Sequence, residues 1–394
     1  MQRIKLNLLR LDYLLGTAII FCQVSGQFGL TSLFFYGTFF TTFLLWICTL
    51  AEKVETLDII AIFIIFTAFI NIAINGLLEG ASFSFEYIKK YIMFCCTIMF
   101  FAAVIKIEIK NKTAVFLEYL YICIGFFLFF MYFLQSRKMH LLNGYYTKYL
   151  TFRFTNPNLT ALFLACMIMF LIAAGFREKR TFWKCLLFLL AAVEAVFLYQ
   201  TLSRNSMLAI AAFLVLSLLL ILKKKELKLK SWVLWLITAA PLLFVLLYME
   251  IVQSPSFLKM FAFIVSEGKD LDSRTFIWNR AISVFKLSPI IGAYCQVSNG
   301  TGVFQLHNTH IDILTSYGVA VLILTCIFLH GLMRSMQGKS QSREQSIALI
   351  GFACAVLLGI GEAAVFSGGL GIYLFAGVFL LIRNTDDGEK LQDR

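Results

Sequence analysis

The stretch HNTHIDILTSYGVAVLILTCIFL, residues 307–329, joins a polar head to an apolar segment long enough to cross a lipid bilayer. About 20 consecutive apolar residues span a hydrocarbon core as a helix, and apolar blocks of this length recur along the whole chain. Polar groups at the edge of such a segment are candidates for function. We therefore start from residues 307–310 for both the fold and the site.

The composition predicts an all-α, polytopic membrane helix bundle. The chain is 60% hydrophobic and 14% charged, whereas soluble domains carry about 25% charged residues. One integral membrane domain is expected over residues 1–394, without a cleavable signal peptide. About twelve transmembrane helices are expected, at residues 12–30, 32–50, 57–75, 91–105, 114–134, 157–175, 183–200, 206–222, 231–250, 309–330, 346–361 and 363–382.

The placement of the charges predicts the orientation. If the N-terminus is cytoplasmic, 22 of the 34 Lys and Arg residues fall on the cytoplasmic side, in short segments next to helix ends. This is the pattern of the positive-inside rule, so both termini are expected in the cytoplasm. Such basic segments contact anionic lipid headgroups, and their placement argues against nucleic acid as a partner. The ten cysteines lie mostly in apolar segments and are expected as buried thiols.

The longest outer segment, residues 251–306, is predicted as an extracytoplasmic loop that contains an amphipathic helix. Apolar residues recur there at helical spacing, which predicts a helix along the outer membrane surface that ends before Pro289. They are Phe276, Ile277, Ala281, Ile282 and Phe285. The best metal hypothesis is a cation between Asp270 and Asp272, but the sequence lacks a ligand cluster, and no metal is expected.

His307 is predicted as a general base. It precedes an apolar helix, and the positive end of a helix dipole disfavours imidazolium, so the ring is expected to be neutral. The alternative is a residue that only caps the helix or contacts lipid headgroups. Thr309 is expected to cap this helix, with Asp312 completing a capping box; a catalytic role is the alternative for Asp312. Gly318 lies close to three full turns beyond His307, so it is expected to share a face with His307 and to allow another helix to approach closely.

Two arginines are predicted to hold phosphate. Arg204 and Arg274 both fall on the outer side, and a guanidinium binds phosphate oxygens as a fork. The alternatives are a snorkelling side chain at Arg204 and a solvated helix face at Arg274. Glu194, inside an apolar segment, is either a proton or ion site or a protonated, hydrogen-bonded side chain.

Together these residues resemble the signature of the O-antigen ligase and O-antigen polymerase superfamily. The similar motifs are Asn156-Pro157-Asn158, Ser203-Arg204, Arg274-x3-Trp278-x2-Ala281, Ser288-Pro289-x2-Gly292 and His307-Asn308-x9-Gly318. The superfamily has Gly, Thr or Tyr where this chain has Val321, which is a departure. The motifs keep their order along residues 156–321 and fall on one predicted side of the membrane.

The resemblance implies a GT-C-like glycosyltransferase of the bacterial cytoplasmic membrane that needs no metal or other cofactor. Its donor and acceptor would be polyprenyl-diphosphate-linked glycans, and other polysaccharide-assembly membrane proteins are candidate partners. His307, Arg204 and Arg274 would be catalytic. The expected substrate-binding residues are Arg153, Asn156, Asn158, Ser203, Arg280 and Asn308.

Three activities are compatible with these motifs. A polymerase joins repeat units on one lipid carrier, whereas a ligase moves a finished chain to another acceptor. We favour polymerase, because the sequence shows no recognisable feature for binding a second lipid acceptor and the predicted loop at residues 251–306 is modest in size. A transporter of such lipids would be expected to carry charges deep in the bundle, but most charges here lie at its edge.

Overall fold

The computed structural model describes residues 33–79, 85–106, 119–131, 134, 157–223, 227–252, 271–293, 306–339 and 342–362. Its regular elements are helices, in agreement with the predicted all-α class. We number them α1 (Thr38–Glu52, after a π-helical turn at Leu33–Gly37), α2 (Thr56–Glu79), α3 (Phe85–Val104), α4 (Tyr119–Met131), α5 (Pro157–Arg177), α6 (Thr181–Gln200), α7 (Arg204–Lys223), α8 (Ser231–Val252), α9 (Leu271–Leu287), α10 (Thr309–Lys339) and α11 (Arg343–Leu358).

Seven segments among the described residues are long and apolar enough to cross a membrane, so the chain is an integral membrane protein. They lie in α1, α2, α5, α6, α7, α8 and α10. Helices α3 and α11 occupy the predicted fourth and eleventh spans, and α4 occupies part of the fifth. The predicted first and twelfth spans lie outside the described residues. The expected total of twelve therefore stays a prediction.

Helix α5 lies at the centre of the bundle. Its most apolar window is 89% buried inside the protein, against 22% for the neighbouring α6. A helix that is apolar on all sides is stable in such a central position, whereas α6 lies at the periphery of the bundle. Helix α11 is also buried along most of its length, and it packs against α5, α7 and α8.

The end of the bundle where α1 leads into α2 is fixed by a buried ion pair. Lys106 Nζ lies 2.9 Å from the carboxylate of Asp58. The same carboxylate accepts hydrogen bonds from Trp46 Nε1 at 3.0 Å and from the main-chain N–H of Glu55 at 2.8 Å. Buried charges need this degree of pairing, so this cluster joins α1, α2 and the end of α3.

Helix α10 is broken at Gly318, which has φ 84° and ψ 175°. The chain around Pro289 fills the break: Val319 N–H donates to Pro289 O at 3.0 Å, and Ala293 N–H donates to Thr315 O at 2.7 Å. On the other side, Asn71 Nδ2 donates to Tyr317 O at 2.6 Å. These bonds satisfy main-chain groups that a break inside an apolar bundle would otherwise leave without partners.

The expectation for Gly318 therefore needs correction. A close approach does occur, but the partner is the turn at residues 288–292, and the helix does not continue through Gly318 with a shared face. A Cβ atom at Gly318 would overlap the Ile290 carbonyl oxygen, and one at Gly292 (φ 75°) would lie 2.7 Å from the Gly318 nitrogen. Two glycines are thus required where two backbones touch.

We expect Gly318→Ala to lower the unfolding temperature of the purified protein substantially. The substitution forces a residue with a Cβ into a glycine-only conformation, which costs about 1–3 kcal/mol before the overlap with Ile290 is counted. Gly338→Ala is the matched control in the same helix, because a Cβ there meets nothing within 4 Å. Equal unfolding temperatures for the two variants, measured in detergent, would contradict this account of the break.

Candidate active site

Three helix ends meet at one place in the bundle: the start of α7, the start of α10 and the turn that follows α11. Residues at the two helix starts bind the main-chain carbonyls of that turn. The four hydrogen bonds are Asn205 Nδ2 to Leu358 O (3.1 Å), Thr309 N to Gly359 O (2.9 Å), Asn308 Nδ2 to Ile360 O (3.1 Å) and Thr309 Oγ1 to Glu362 O (2.9 Å). These carbonyls belong to the last residue of α11 and to the turn after it, which the helix itself does not pair. The four bonds therefore help to satisfy them and position the turn.

Asn308, rather than Thr309, caps α10. Its Oδ1 accepts from the main-chain N–H groups of His310 and Ile311, each at 3.0 Å. Its Nδ2 also donates to Pro241 O in α8 at 2.8 Å, and the side chain is fully buried. The structure thus gives Asn308, predicted to bind substrate, an amide whose oxygen and nitrogen are both engaged by protein groups.

Asp312 does not form the predicted capping box. Its carboxylate lies 2.7 Å from Lys90 Nζ, which also donates to Ser316 Oγ at 3.2 Å. The carboxylate therefore binds a cation from α3 instead of returning to the start of its own helix. Lys90 thus connects the second turn of α3 to the first two turns of α10.

His307 has a left-handed backbone, with φ 50°, and its ring faces Glu362. Nδ1 lies 3.5 Å from Glu362 Oε2, with the two side chains 20% and 4% exposed. Nδ1 itself is buried without a hydrogen bond, so the carboxylate is the charged group beside it. Strained residues of this kind cluster at functional sites.

Sequence reasoning missed Glu362. It lies 55 residues beyond His307, and only the paired turn after α11 brings it near. The one available signal was a carboxylate at the polar edge of an apolar segment, directly after Gly359 and Gly361.

The predicted amphipathic helix forms as α9 and docks against α10 through Trp278. The indole Nε1 donates to Leu306 O at 2.8 Å, next to His307. The buried face of α9 includes Ile277, Trp278 and Ala281. Phe276, which was expected on that face, is 64% exposed. The apolar face is therefore rotated toward Trp278, because the protein itself provides a docking surface.

Arg274 lies one helical turn before Trp278 in α9, and its side chain is outside the described residues. Residues four apart lie on one face of a helix. The backbone of Arg274 is therefore on the face of α9 that carries Trp278, which contacts the chain next to His307.

Arg204 is the first residue of α7 and is exposed. The preceding turn holds Leu202 with φ 54° and the buried Ser203, whose Oγ lies 3.4 Å from Ser206 Oγ. Because the adjacent Asn205 binds Leu358 O, Arg204 stands at the junction that also holds His307 and Glu362.

The remaining predicted residues are dispersed or undescribed. Asn158 is half-buried in the first turn of α5, and Arg280 is exposed on α9. Arg153, Asn156 and Asp270 lie outside the described residues, as does the side chain of Asp272. In the part of the chain that the structure describes, no three His, Cys, Asp or Glu side chains gather as metal ligands.

Glu194 is fully buried, with no hydrogen bond to either carboxylate oxygen.

The fold and the site define an integral membrane protein with a histidine–carboxylate pair where three helix ends meet. Residues 185–326 match the family model described as O-antigen ligase. The match bears out the resemblance to the superfamily that the motifs indicate. Members of that superfamily are glycosyltransferase-like enzymes that use lipid-linked glycans. It includes Arg204, Arg274 and His307 but not Glu362. No curated protein matches the chain.

We expect Asn308→Asp to destabilise the protein about as much as Asn308→Ala. The aspartate keeps the cap but cannot donate to Pro241 O and Ile360 O, and it places a buried negative charge beside these two carbonyl oxygens. Each buried polar group left without a partner costs about 1–3 kcal/mol. Asn205→Ala, which removes one such bond, should cost less in the same thermal unfolding measurement. Wild-type stability of Asn308→Asp would show that the two carbonyl contacts contribute little.

Proposed function

We propose that this protein polymerises polyprenyl-diphosphate-linked oligosaccharide repeat units into a surface polysaccharide at the outer face of the bacterial cytoplasmic membrane. The observation that carries the proposal is the His307–Glu362 pair at a junction that also bears Arg204. The match to the O-antigen ligase family supports a lipid-linked glycan as the substrate. A GT-C-like architecture and independence from metal belong to the same proposal.

His307 is the general base for the acceptor hydroxyl. Glu362 faces Nδ1 at 3.5 Å, and a carboxylate at that position favours the tautomer with the proton on Nδ1. Nε2 is then the nitrogen with a free lone pair. The distance exceeds that of a good hydrogen bond, but catalytic hydrogen bonds often shorten only when the substrate binds.

The chemical step is a substitution at the anomeric carbon of the donor sugar. The acceptor oxygen forms the new glycosidic bond while the bond from the anomeric carbon to the diphosphate oxygen breaks, and the diphosphate leaves with the electron pair. The acceptor proton passes to His307 Nε2, and Glu362 stabilises the resulting imidazolium.

Arg204 and Arg274 bind the departing diphosphate. Their guanidinium groups stay charged throughout and match phosphate oxygens in geometry. Arg153, Asn156, Asn158, Ser203 and Arg280 are proposed to contact the substrates. Asn308 contributes indirectly, because its cap holds the start of α10 and therefore the position of His307.

The site faces the outside of the cell in this proposal. The distribution of basic residues supports cytoplasmic termini, which puts the starts of α7 and α10 at the outer surface. Lipid-linked repeat units exposed in the outer leaflet can then reach His307 from the membrane edge.

We expect His307→Gln to reduce turnover about 10²–10⁴-fold, because a positioned base contributes that much. Glu362→Gln should also reduce turnover, since it removes the charge that stabilises imidazolium. The decisive variant is the double substitution, which should be no slower than His307→Gln alone, because residues that act as a unit are not additive. The measurement is polymer formation by purified protein with donor lipid, with Glu344→Gln as a carboxylate control.

Two results would contradict the base assignment. Near-normal turnover by His307→Gln would remove the histidine from the chemistry. Additive losses in the double variant would mean that Glu362 acts independently of His307.

Cells that lack the protein should accumulate single repeat units on the outer-leaflet lipid carrier. A polymerase consumes such units, so its loss leaves them unjoined. Extraction and mass analysis of the lipid-linked glycans measures this. Long chains still attached to the carrier would instead identify a ligase, and units confined to the inner leaflet would identify a transporter.

A further inference from the structure

Lys90 has a partly exposed side chain beside the candidate active site. Its Nζ lies 2.7 Å from Asp312 Oδ1 and 3.2 Å from Ser316 Oγ. An ammonium group has three N–H donors, and these two acceptors use two of them. The third has no acceptor among the described residues, and the side chain is 31% exposed.

The ion pair at the other end of the bundle shows what a closed pair looks like in this protein. The Lys106 and Asp58 side chains are 6% and 0% exposed, and Trp46 and Glu55 also bind that carboxylate. The Lys90–Asp312 pair lacks such an enclosure on the lysine side. A pair that served only to join two helices would gain nothing from a partly exposed lysine side chain.

The position of Lys90 matches the proposed chemistry. Asp312 N–H donates to Asn308 O, so Asp312 lies one turn, about 5.4 Å, along α10 from its cap. Lys90 is therefore close to the first turn of the helix that follows His307. The N-terminus of a helix also favours anions, so a phosphate group there would meet two favourable electrostatic contributions.

We propose that Lys90 is a third cation of the donor site and donates its remaining N–H to the diphosphate of the lipid-linked glycan. This inference rests on the proposed function. Asp312 balances the charge of Lys90 and orients it while the site is empty. When the diphosphate is bound, Lys90 contacts both anions and adds to the charge compensation by Arg204 and Arg274.

The test is direct binding of polyprenyl diphosphate to the purified full-length protein in nanodiscs of neutral phosphatidylcholine, together with donor KM and kcat. Lys90→Gln should weaken binding and raise the donor KM by about 10-fold or more, as expected for a lost charge-assisted contact. Lys90→Arg keeps the cation and should retain most of the affinity. Asp312→Asn keeps the cation, so it should weaken binding less than Lys90→Gln does.

Lys89→Gln is the matched control. Lys89 is the adjacent residue with the same charge, but its Nζ lies 5.4 Å from the centre of the Phe35 ring. Removal of its charge should leave polyprenyl diphosphate binding unchanged. Equal weakening by Lys89→Gln and Lys90→Gln would overturn the proposal, because it would indicate a general effect of surface charge.

Three further results would overturn it. Wild-type affinity in Lys90→Gln would exclude the contact. Equal losses of kcat in Lys90→Gln and Asp312→Asn, with unchanged affinity, would make the pair a structural link. If Lys90→Gln abolishes only a stimulation by anionic phosphatidylglycerol, Lys90 binds a lipid headgroup instead. A wild-type protein that binds the donor but does not transfer glycan would instead disprove the proposed function.

Discussion

One buried amide holds the candidate site together. Asn308 accepts two main-chain N–H groups at the start of α10 and donates to carbonyls of α8 and of the turn after α11. Inside an apolar bundle these N–H and C=O groups cannot form hydrogen bonds to water. The Asn308 side chain therefore fixes the relative position of α8, α10 and the end of α11. His307 is the residue next to Asn308, and its backbone is left-handed. This strained conformation is held in place because the Asn308 cap fixes the chain after His307 and the Trp278 hydrogen bond to Leu306 fixes the chain before it.

The sequence was most informative where a local pattern decides the structure. Apolar length predicted the helices, since a membrane span needs little else, and the position of His307 directly before a span predicted its place at a helix start. The predictions that were wrong have a common cause. Thr309 and Asp312 were given local capping roles, and Gly318 was expected to contact another helix. The groups that they contact, Glu362, Lys90 and Ile290, lie far away in the sequence. A single chain carries no signal for such contacts, so local capping rules were applied where long-range pairing prevailed.

The motifs that resemble the superfamily divide into two physical kinds. Pro289, Gly292 and Gly318 form a backbone contact too close for larger residues, and Trp278 docks α9 beside Leu306. These residues are architectural. Arg204 and His307 instead stand at exposed or partly exposed positions on helix starts, where they can meet a substrate. If every motif residue were interpreted as catalytic, architectural residues would be confused with those that can meet a substrate. The structure distinguishes the two kinds by what each side chain contacts.

The filled break in α10 also bears on the order in which a growing chain can assemble. Asn71 and Pro289, which satisfy the groups around Gly318, both precede α10 in the sequence, so they are already synthesised when that helix emerges from the ribosome. The turn that carries Glu362 follows it. Chain synthesis from the N-terminus therefore allows the bent helix to form first, whereas the environment of His307 is completed only after α11 has entered the membrane.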